Sequence, residues 1–161
     1  MPSQNITLKR TESSDPDFRS LIILLDNELN ERYGELMQST YDRYNHIIDI
    51  DTVLLAYCDG IAAGCGCFKK YDDTSAEIKR MFVKDTERGQ GVAYQILSGL
   101  ELWAKESGFT NTILETGDKQ DEAIALYQKL GYVITPNYGQ YSGMATSICM
   151  RKELLSLTNL R

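Results

Sequence analysis

Arg88-Gly89-Gln90-Gly91-Val92-Ala93 is where this chain passes from a strand pattern to a helix pattern. Ahead of it, Ala76-Glu77-Ile78-Lys79-Arg80-Met81-Phe82-Val83 reads as a strand, followed by a short polar link from Lys84 to Glu87. Behind it, Val92, Ile96, Leu100, Trp103 and Ala104 recur at spacings of three and four, which predicts a helix from Val92 to Glu106. Two glycines therefore stand in a tight connection at a helix start. N–H groups there have no partner inside the helix, and the helix dipole adds positive potential. Glycines let an anion approach those donors closely, and Arg88 adds a fixed positive charge with several donors. The chemistry suggests a seat for a diphosphate.

Two rival motifs fail. A P-loop carries Lys-Ser or Lys-Thr after its second glycine, and neither pair follows here. The dinucleotide fingerprint needs a third glycine where Tyr94 stands. What fits is Arg-x-x-Gly-x-Ala at Arg88, Gly91 and Ala93, together with a second block, Ala123-Ile124-Ala125-Leu126-Tyr127-Gln128-Lys129-Leu130-Gly131-Tyr132. In order and separation these blocks resemble the acyl-coenzyme A pyrophosphate loop and the second signature helix of the GNAT-type N-acetyltransferases. The resemblance runs from about Thr74 to Tyr132; elsewhere only the order of strands and helices agrees.

The resemblance implies a mixed α/β (α+β) fold, with 1–161 as one N-acetyltransferase domain. Its central sheet would be mostly antiparallel, with one splayed parallel strand pair, and flanked by helices. It implies acetyl-coenzyme A as cosubstrate, no metal, and direct acetyl transfer to a primary amine of a small molecule or of a peptide or protein N-terminus. A coenzyme A-binding sensor or inactive regulatory protein of the same fold is the alternative, and a homodimer is left open. Carried over residue by residue, the cofactor contacts would be the main chain at Met81, Phe82 and Val83, the loop Arg88, Gly89, Gln90, Gly91, Val92, Ala93 and Tyr94, and then Thr116, Gln120 and Ala123. Gln120 stands where the family often has asparagine; it keeps the amide but is one methylene longer. On the residues alone, Met81 to Val83 also reads as a plain central strand.

Acetyl transfer needs a neutral amine, a polarised carbonyl and a proton for the leaving thiolate. Tyrosine, with a reference pKa of about 10 against about 8.5 for a thiol, is protonated at neutral pH and can supply that proton. Tyr127 matches the family's general-acid tyrosine, although it also shares a helical stripe with Ala123 and Leu130 and would serve as a core aromatic. Glu77 stands where some members carry a glutamate base. A solvated strand glutamate paired with Lys79 is the equal alternative, because a carboxylate is a poor base unless burial raises its pKa. For the acceptor, the resemblance points to the first helices and the last hairpin. Tyr33, Tyr41, Tyr44, Tyr138 and Tyr141 lie in those regions and could line a pocket.

Composition bounds the rest. A chain of 161 residues with 42% hydrophobic and 25% charged residues suits one globular domain. A formal charge of −6 argues against nucleic-acid binding. The longest aliphatic run, Leu21 to Leu25, is too short to span a bilayer, and the N-terminus lacks signal-peptide character, so the cytoplasm is expected. Cys58, Cys65, Cys67 and Cys149 have no zinc spacing and read as buried free thiols. Along the chain the expected order is a strand at Asn5–Arg10, then a helix entered at Ser14-Asp15-Pro16 that ends near Gly34. A short helix or loop at 36–46 follows, then strands at Thr52–Tyr57 and Ile61–Lys70 joined by the Asp59-Gly60 turn. After the 92–106 helix come a strand at Thr112–Thr116 and a helix at Lys119–Leu130 capped by Asp118. Strands at Tyr132–Thr135 and Ala145–Lys152, with a loop at Asn137–Gly143 between them, complete it.

Overall fold

A computed structural model describes residues 5–34 and 49–155; the segment expected at 36–46, with Tyr41 and Tyr44, lies outside the described residues. The chain forms two compact units, Met1–Phe68 with Lys79–Leu100, and Lys69–Ile78 with Glu101–Arg161.

In the first unit, β1 (Ile6–Thr11) pairs antiparallel with β2 (Val53–Cys58), Ile6 opposite Cys58 and Thr11 opposite Val53. β2 then turns through Asp59 and Gly60, both at positive φ (51° and 84°), into β3 (Ile61–Lys70), again antiparallel. Two left-handed residues are what a tight hairpin turn requires, and glycine with aspartate supplies them at low steric cost. Helix α1 (Pro16–Tyr33) begins as expected: the Asp15 carboxylate accepts the Asp17 N–H at 2.9 Å, and Pro16 occupies the first turn. Its stripe of Phe18, Leu21 and Leu25 is buried with Val53, Leu55, Cys65, Cys67 and Phe82. Each large apolar side chain so buried contributes about 1.5–3 kcal/mol.

β4 (Ser75–Val83) and helix α2 (Val92–Glu106) each contribute to both units. In the first unit α2 buries Val92, Ile96, Leu97 and Leu100 completely or nearly so. It lies tight on β3 because Gly64 and Gly66 carry no side chain. A Cβ at Gly64 would stand 2.7 Å from the Phe82 carbonyl oxygen and 3.0 Å from Ile96 Cδ1; one at Gly66 would stand 2.6 Å from Met81 Sδ and 2.9 Å from Leu100 Cδ1.

In the second unit, the first residues of β4 pair parallel with β5 (Asn111–Gly117), in register from Ser75 opposite Asn111 to Ile78 opposite Leu114. β7 (Ser147–Glu153) runs antiparallel to β5 along its whole length, and the short β6 (Val133–Thr135) pairs antiparallel with β7. Among the described residues the seven strands follow the order β1-β2-β3-β4-β5-β7-β6 in one sheet. That is the expected mixed architecture, a mostly antiparallel sheet with one parallel pair. Helix α3 (Asp121–Lys129) closes through Leu130 and Gly131, whose φ is 99°.

The last strand starts two residues later than expected, at Ser147 rather than Ala145, and the start of α3 differs for a physical reason. Asp118 does not cap α3. Its N–H donates to the Thr146 carbonyl at 2.9 Å, and the helix starts only at Asp121, with Gln120 at the cap position and no side-chain capping bond. The Gly117-Asp118 turn is spent on the β7 approach instead. Asp121 and Glu122 supply the negative charge that the first turn of a helix favours. The polar link before α2 also contains a 3₁₀ turn, Asp85–Glu87, and the loop before β7 contains another, Gly139–Tyr141.

Candidate active site

The loop residues expected to meet a diphosphate lie in the first unit. Arg88, Gly89, Gln90 and Gly91 are all exposed. Gly89 and Gly91 have φ of 79° and 84°, a region that side-chain-bearing residues enter only with strain. A Cβ built on either glycine meets nothing within 4 Å, so open space lies directly over the main chain. The Gly91 carbonyl accepts the Gln95 N–H at 3.1 Å, which makes Gly91 the head of α2. The N–H groups of the first turn therefore face the chain's own opening rather than a preceding helical turn. Val92 is buried beneath, Ala93 half-buried, and Tyr94 exposed. Phe82 and Val83 are buried at the end of β4, and Met81 is half-buried.

Arg88 is engaged within the protein. Its Nε donates to the Val83 carbonyl at 2.9 Å, and its Nη2 reaches both carboxylate oxygens of Glu28 on α1 at 2.8 Å. Its guanidinium also lies 5.8 Å from the centre of the Phe82 ring. Arg80, at φ 58°, is a non-glycine residue in left-handed conformation inside β4, and its Nη1 pairs with Asp26 of α1 at 2.6 Å. Two carboxylates of one helix thus hold two arginines on either side of Met81 to Val83. Glu28 carried no signal in the sequence beyond being one acidic residue among many. Tyr33, the last residue of α1, is half-buried in this unit.

The second unit gathers a different set. Glu77 on β4 is 1% exposed, so it is not a solvated strand residue. Its Oε2 accepts the Tyr138 hydroxyl at 2.8 Å, and Lys69 Nζ stands 3.9 Å from its Oε1. Tyr138 is held edge-on by Tyr71 at a centroid distance of 5.1 Å and by Tyr141 at 5.6 Å. Burial, then the Glu77 carboxylate beside it, pushes the Tyr138 phenol far above its ordinary range. Tyr141 is likewise pushed up by burial and then by Glu115 and Glu77. Burial raises the Cys149 thiol to about 11, with Glu115 and Glu77 adding to it against a hydrogen bond from the Tyr138 main chain. Glu115 on β5 accepts the Ser147 hydroxyl at 2.7 Å. Sequence reading anticipated Glu77, Tyr138 and Tyr141 here and missed Lys69, Tyr71 and Glu115. A charged residue following Ile113-Leu114 inside the strand Asn111–Gly117 was the one available signal for Glu115.

Thr116 and Tyr127 are buried, and Gln120 and Ala123 half-buried, on β5 and α3 of the same unit. Burial alone lifts the Tyr127 phenol well above its ordinary value, so it stays protonated across the physiological range. The Leu-Gly-Tyr closure behind it has a structural use. Tyr132 packs edge-on against Tyr127 at 5.8 Å, and its N–H donates to the Tyr127 carbonyl at 2.9 Å. The Tyr132 hydroxyl donates to Glu101 at 2.9 Å and lies 2.7 Å from Thr112 Oγ1, while Lys152 Nζ reaches the other oxygen of Glu101 at 2.9 Å.

All four cysteines are free and buried, as expected. No helix among the described residues is long and apolar enough to cross a membrane.

This fold is that of solved acetyltransferases. A candidate acyl-CoA N-acyltransferase from Klebsiella pneumoniae superposes with a TM-score of 0.77 at 27% identity, covering 93% of this chain and 98% of the other. A GNAT family acetyltransferase from Elizabethkingia anophelis, with acetyl-CoA bound, shares the fold at a TM-score of 0.66 and 23% identity, covering 93% and 99%. Among sequence relatives, the IAA acetyltransferase of Azospirillum brasilense is 30% identical over 158 residues, 93% of this chain and 99% of that protein. The profile of the acetyltransferase (GNAT) family matches residues 18–132. The chain belongs to the GNAT acetyltransferase family.

Proposed function

We propose that residues 1–161 act as one N-acetyltransferase domain, passing an acetyl group directly from acetyl-coenzyme A to a primary amine of a small molecule or of a peptide or protein N-terminus, in the cytoplasm. The observation that carries this reading is the pair of left-handed glycines, Gly89 and Gly91, with open space over their main chain at the head of α2. Donors pointing out of a helix start, with no Cβ to block approach, fit a pyrophosphate. The relative solved with acetyl-CoA bound has the same fold, which supports the same cosubstrate here.

In this reading the cosubstrate supplies an acetyl thioester and its pantetheine arm, the protein everything else. The loop Arg88 to Tyr94 takes the pyrophosphate on main-chain N–H groups, with Thr116, Gln120 and Ala123 as further contacts. The main chain at Met81, Phe82 and Val83 lies along the arm as a strand would, and a backbone N–H at Phe82 or Val83 polarises the carbonyl. Tyr127, a phenol that is protonated at neutral pH, gives its proton to the departing thiolate. Glu77 takes the proton of the amine, and Tyr33, Tyr138 and Tyr141 line the acceptor's side.

A calorimetric titration with acetyl-coenzyme A tests the reading, with Gly91→Glu as the control. Micromolar binding by the wild type that is lost in the variant is expected. Absence of binding by a folded wild-type protein would remove the reading. A screen of alkyl amines and N-terminal peptides with coenzyme A release as the signal then identifies the acceptor class.

A further inference from the structure

Glu77 is placed as a base but is almost out of reach of solvent, at 1% exposure. A base has to be within hydrogen-bond distance of the proton it takes, directly or through one intervening group. The group in contact with its Oε2 is the Tyr138 hydroxyl, at 2.8 Å, and Tyr138 itself is only half-buried. Its ring has little freedom, because Tyr71 and Tyr141 press on it edge-first at 5.1 and 5.6 Å. Gly139, the next residue, keeps Tyr71 close as well: a Cβ there would stand 3.1 Å from the Tyr71 hydroxyl.

We propose that Tyr138 is a catalytic relay, the hydroxyl through which the acceptor's ammonium proton passes to Glu77. This inference rests on the transferase reading above. The step balances without a further reagent. The ammonium gives one proton to Tyr138 Oη as the hydroxyl's own proton moves to Glu77 Oε2. The acceptor becomes a neutral amine, Tyr138 is a phenol before and after, and Glu77 becomes a carboxylic acid that returns its proton to solvent between turnovers by the same exchange through the half-buried Tyr138 hydroxyl. The two shifts occur together, so no phenolate forms; burial and the adjacent carboxylate make a free phenolate costly at this position. Among the described residues, the titratable groups around Glu77 include Lys69 from β3, Tyr141 from the turn before β7, Cys149 on β7 and, beyond them, Glu115 on β5.

The test compares two nucleophiles in wild type, Tyr138→Phe and Glu77→Gln, after calorimetry has measured acetyl-coenzyme A affinity in each. One probe is a panel of primary alkyl amines, which are ammonium ions at neutral pH and must lose a proton. The other is hydroxylamine, already neutral there, measured over its enzyme-free background. With the relay, both variants keep wild-type acetyl-coenzyme A affinity, lose roughly a hundredfold in alkyl-amine kcat/KM, and lose at least about tenfold less with hydroxylamine. Equal losses with both nucleophiles would mean a positioning or packing role, and undiminished alkyl-amine transfer in Tyr138→Phe would mean no role; either overturns the relay. A wild type that binds acetyl-coenzyme A and acetylates no amine also overturns it, leaving cosubstrate binding intact. A wild type that binds no acetyl-coenzyme A instead overturns the transferase reading itself.

Discussion

Arg88 Nη2 lies 2.8 Å from both carboxylate oxygens of Glu28, and the same guanidinium donates through Nε to the carbonyl that ends β4. The arginine of the glycine-rich loop is thus tied back to α1 and to the strand before it. Its charge is already balanced by a partner when an anion arrives.

Removing Arg88 should therefore weaken acetyl-coenzyme A binding by less than about tenfold, or 1.4 kcal/mol, since main-chain N–H groups remain. The pair is partly exposed, with side chains 38% and 32% accessible, so a double-mutant cycle of Arg88→Ala and Glu28→Ala in urea should give a coupling of about 0.2–1 kcal/mol. A loss of affinity of a hundredfold or more in Arg88→Ala would show the side chain to be the main anion ligand.

Gly91 separates shape from access. At φ 84° any side chain strains the backbone, so Gly91→Ala and Gly91→Glu should each cost about 1–2 kcal/mol in urea unfolding. Only the glutamate puts a bulky negative group into the open space over the loop. Gly91→Ala should retain measurable affinity for acetyl-coenzyme A and Gly91→Glu should have none. Similar affinities in the two would argue that the cosubstrate binds elsewhere.

Two tyrosines five residues apart should fail differently. Tyr127→Phe should lower turnover by at least about tenfold with unchanged acetyl-coenzyme A affinity and little change in stability. Tyr132→Phe should do the reverse. It removes a buried hydroxyl between Glu101 and Thr112, and a bond to a charged partner contributes about 1.5–3 kcal/mol. Steady-state kinetics beside urea midpoints tell them apart; a kinetic effect confined to Tyr132→Phe would exchange the assignments.

Acid should act through Asp15. Burial works to raise its pKa and is the largest influence, but hydrogen bonds from Lys9, the Asp17 N–H and Thr11, with the Lys9 charge, bring it below the ordinary 3.8. A carboxylate with a depressed folded pKa contributes stability that is present above the unfolded value and lost as pH falls through the folded one. The stability difference between wild type and Asp15→Asn should hold steady above pH 5 and shrink below about 3.8. A difference that stays constant to pH 2 would mean that the Lys9 contact contributes nothing.

Punctuation in the chain made most of the fold legible. Asp59-Gly60, Ser14-Asp15-Pro16 and Gly131 each force a local geometry that few other residues adopt, and each boundary fell where they stand. Asp118 misled because a capping aspartate and a turn aspartate look alike until the partner of its own N–H is known. The glycine-rich loop from Arg88 to Gly91 was legible for the same local reason as the turns. The Glu77 cluster was only half legible, since Tyr138 reaches Glu77 across 61 positions and Lys69, Tyr71 and Glu115 join it through sheet register and loop packing. No window of sequence contains that information.

The bare stretch of β3 at Gly64 and Gly66 has a bearing on how this protein can be altered. Exchanging glycine for alanine in a strand ordinarily stiffens the unfolded chain and raises stability. Here the added methyl would have to displace the Phe82 carbonyl or the Met81 sulfur, together with the aliphatic tips of Ile96 and Leu100. The height at which α2 rides over the sheet is thus gauged by two missing carbons, and the helix carries Gly91 at its head. A stabilising library that treats these positions as free would shift the loop while leaving every loop residue untouched.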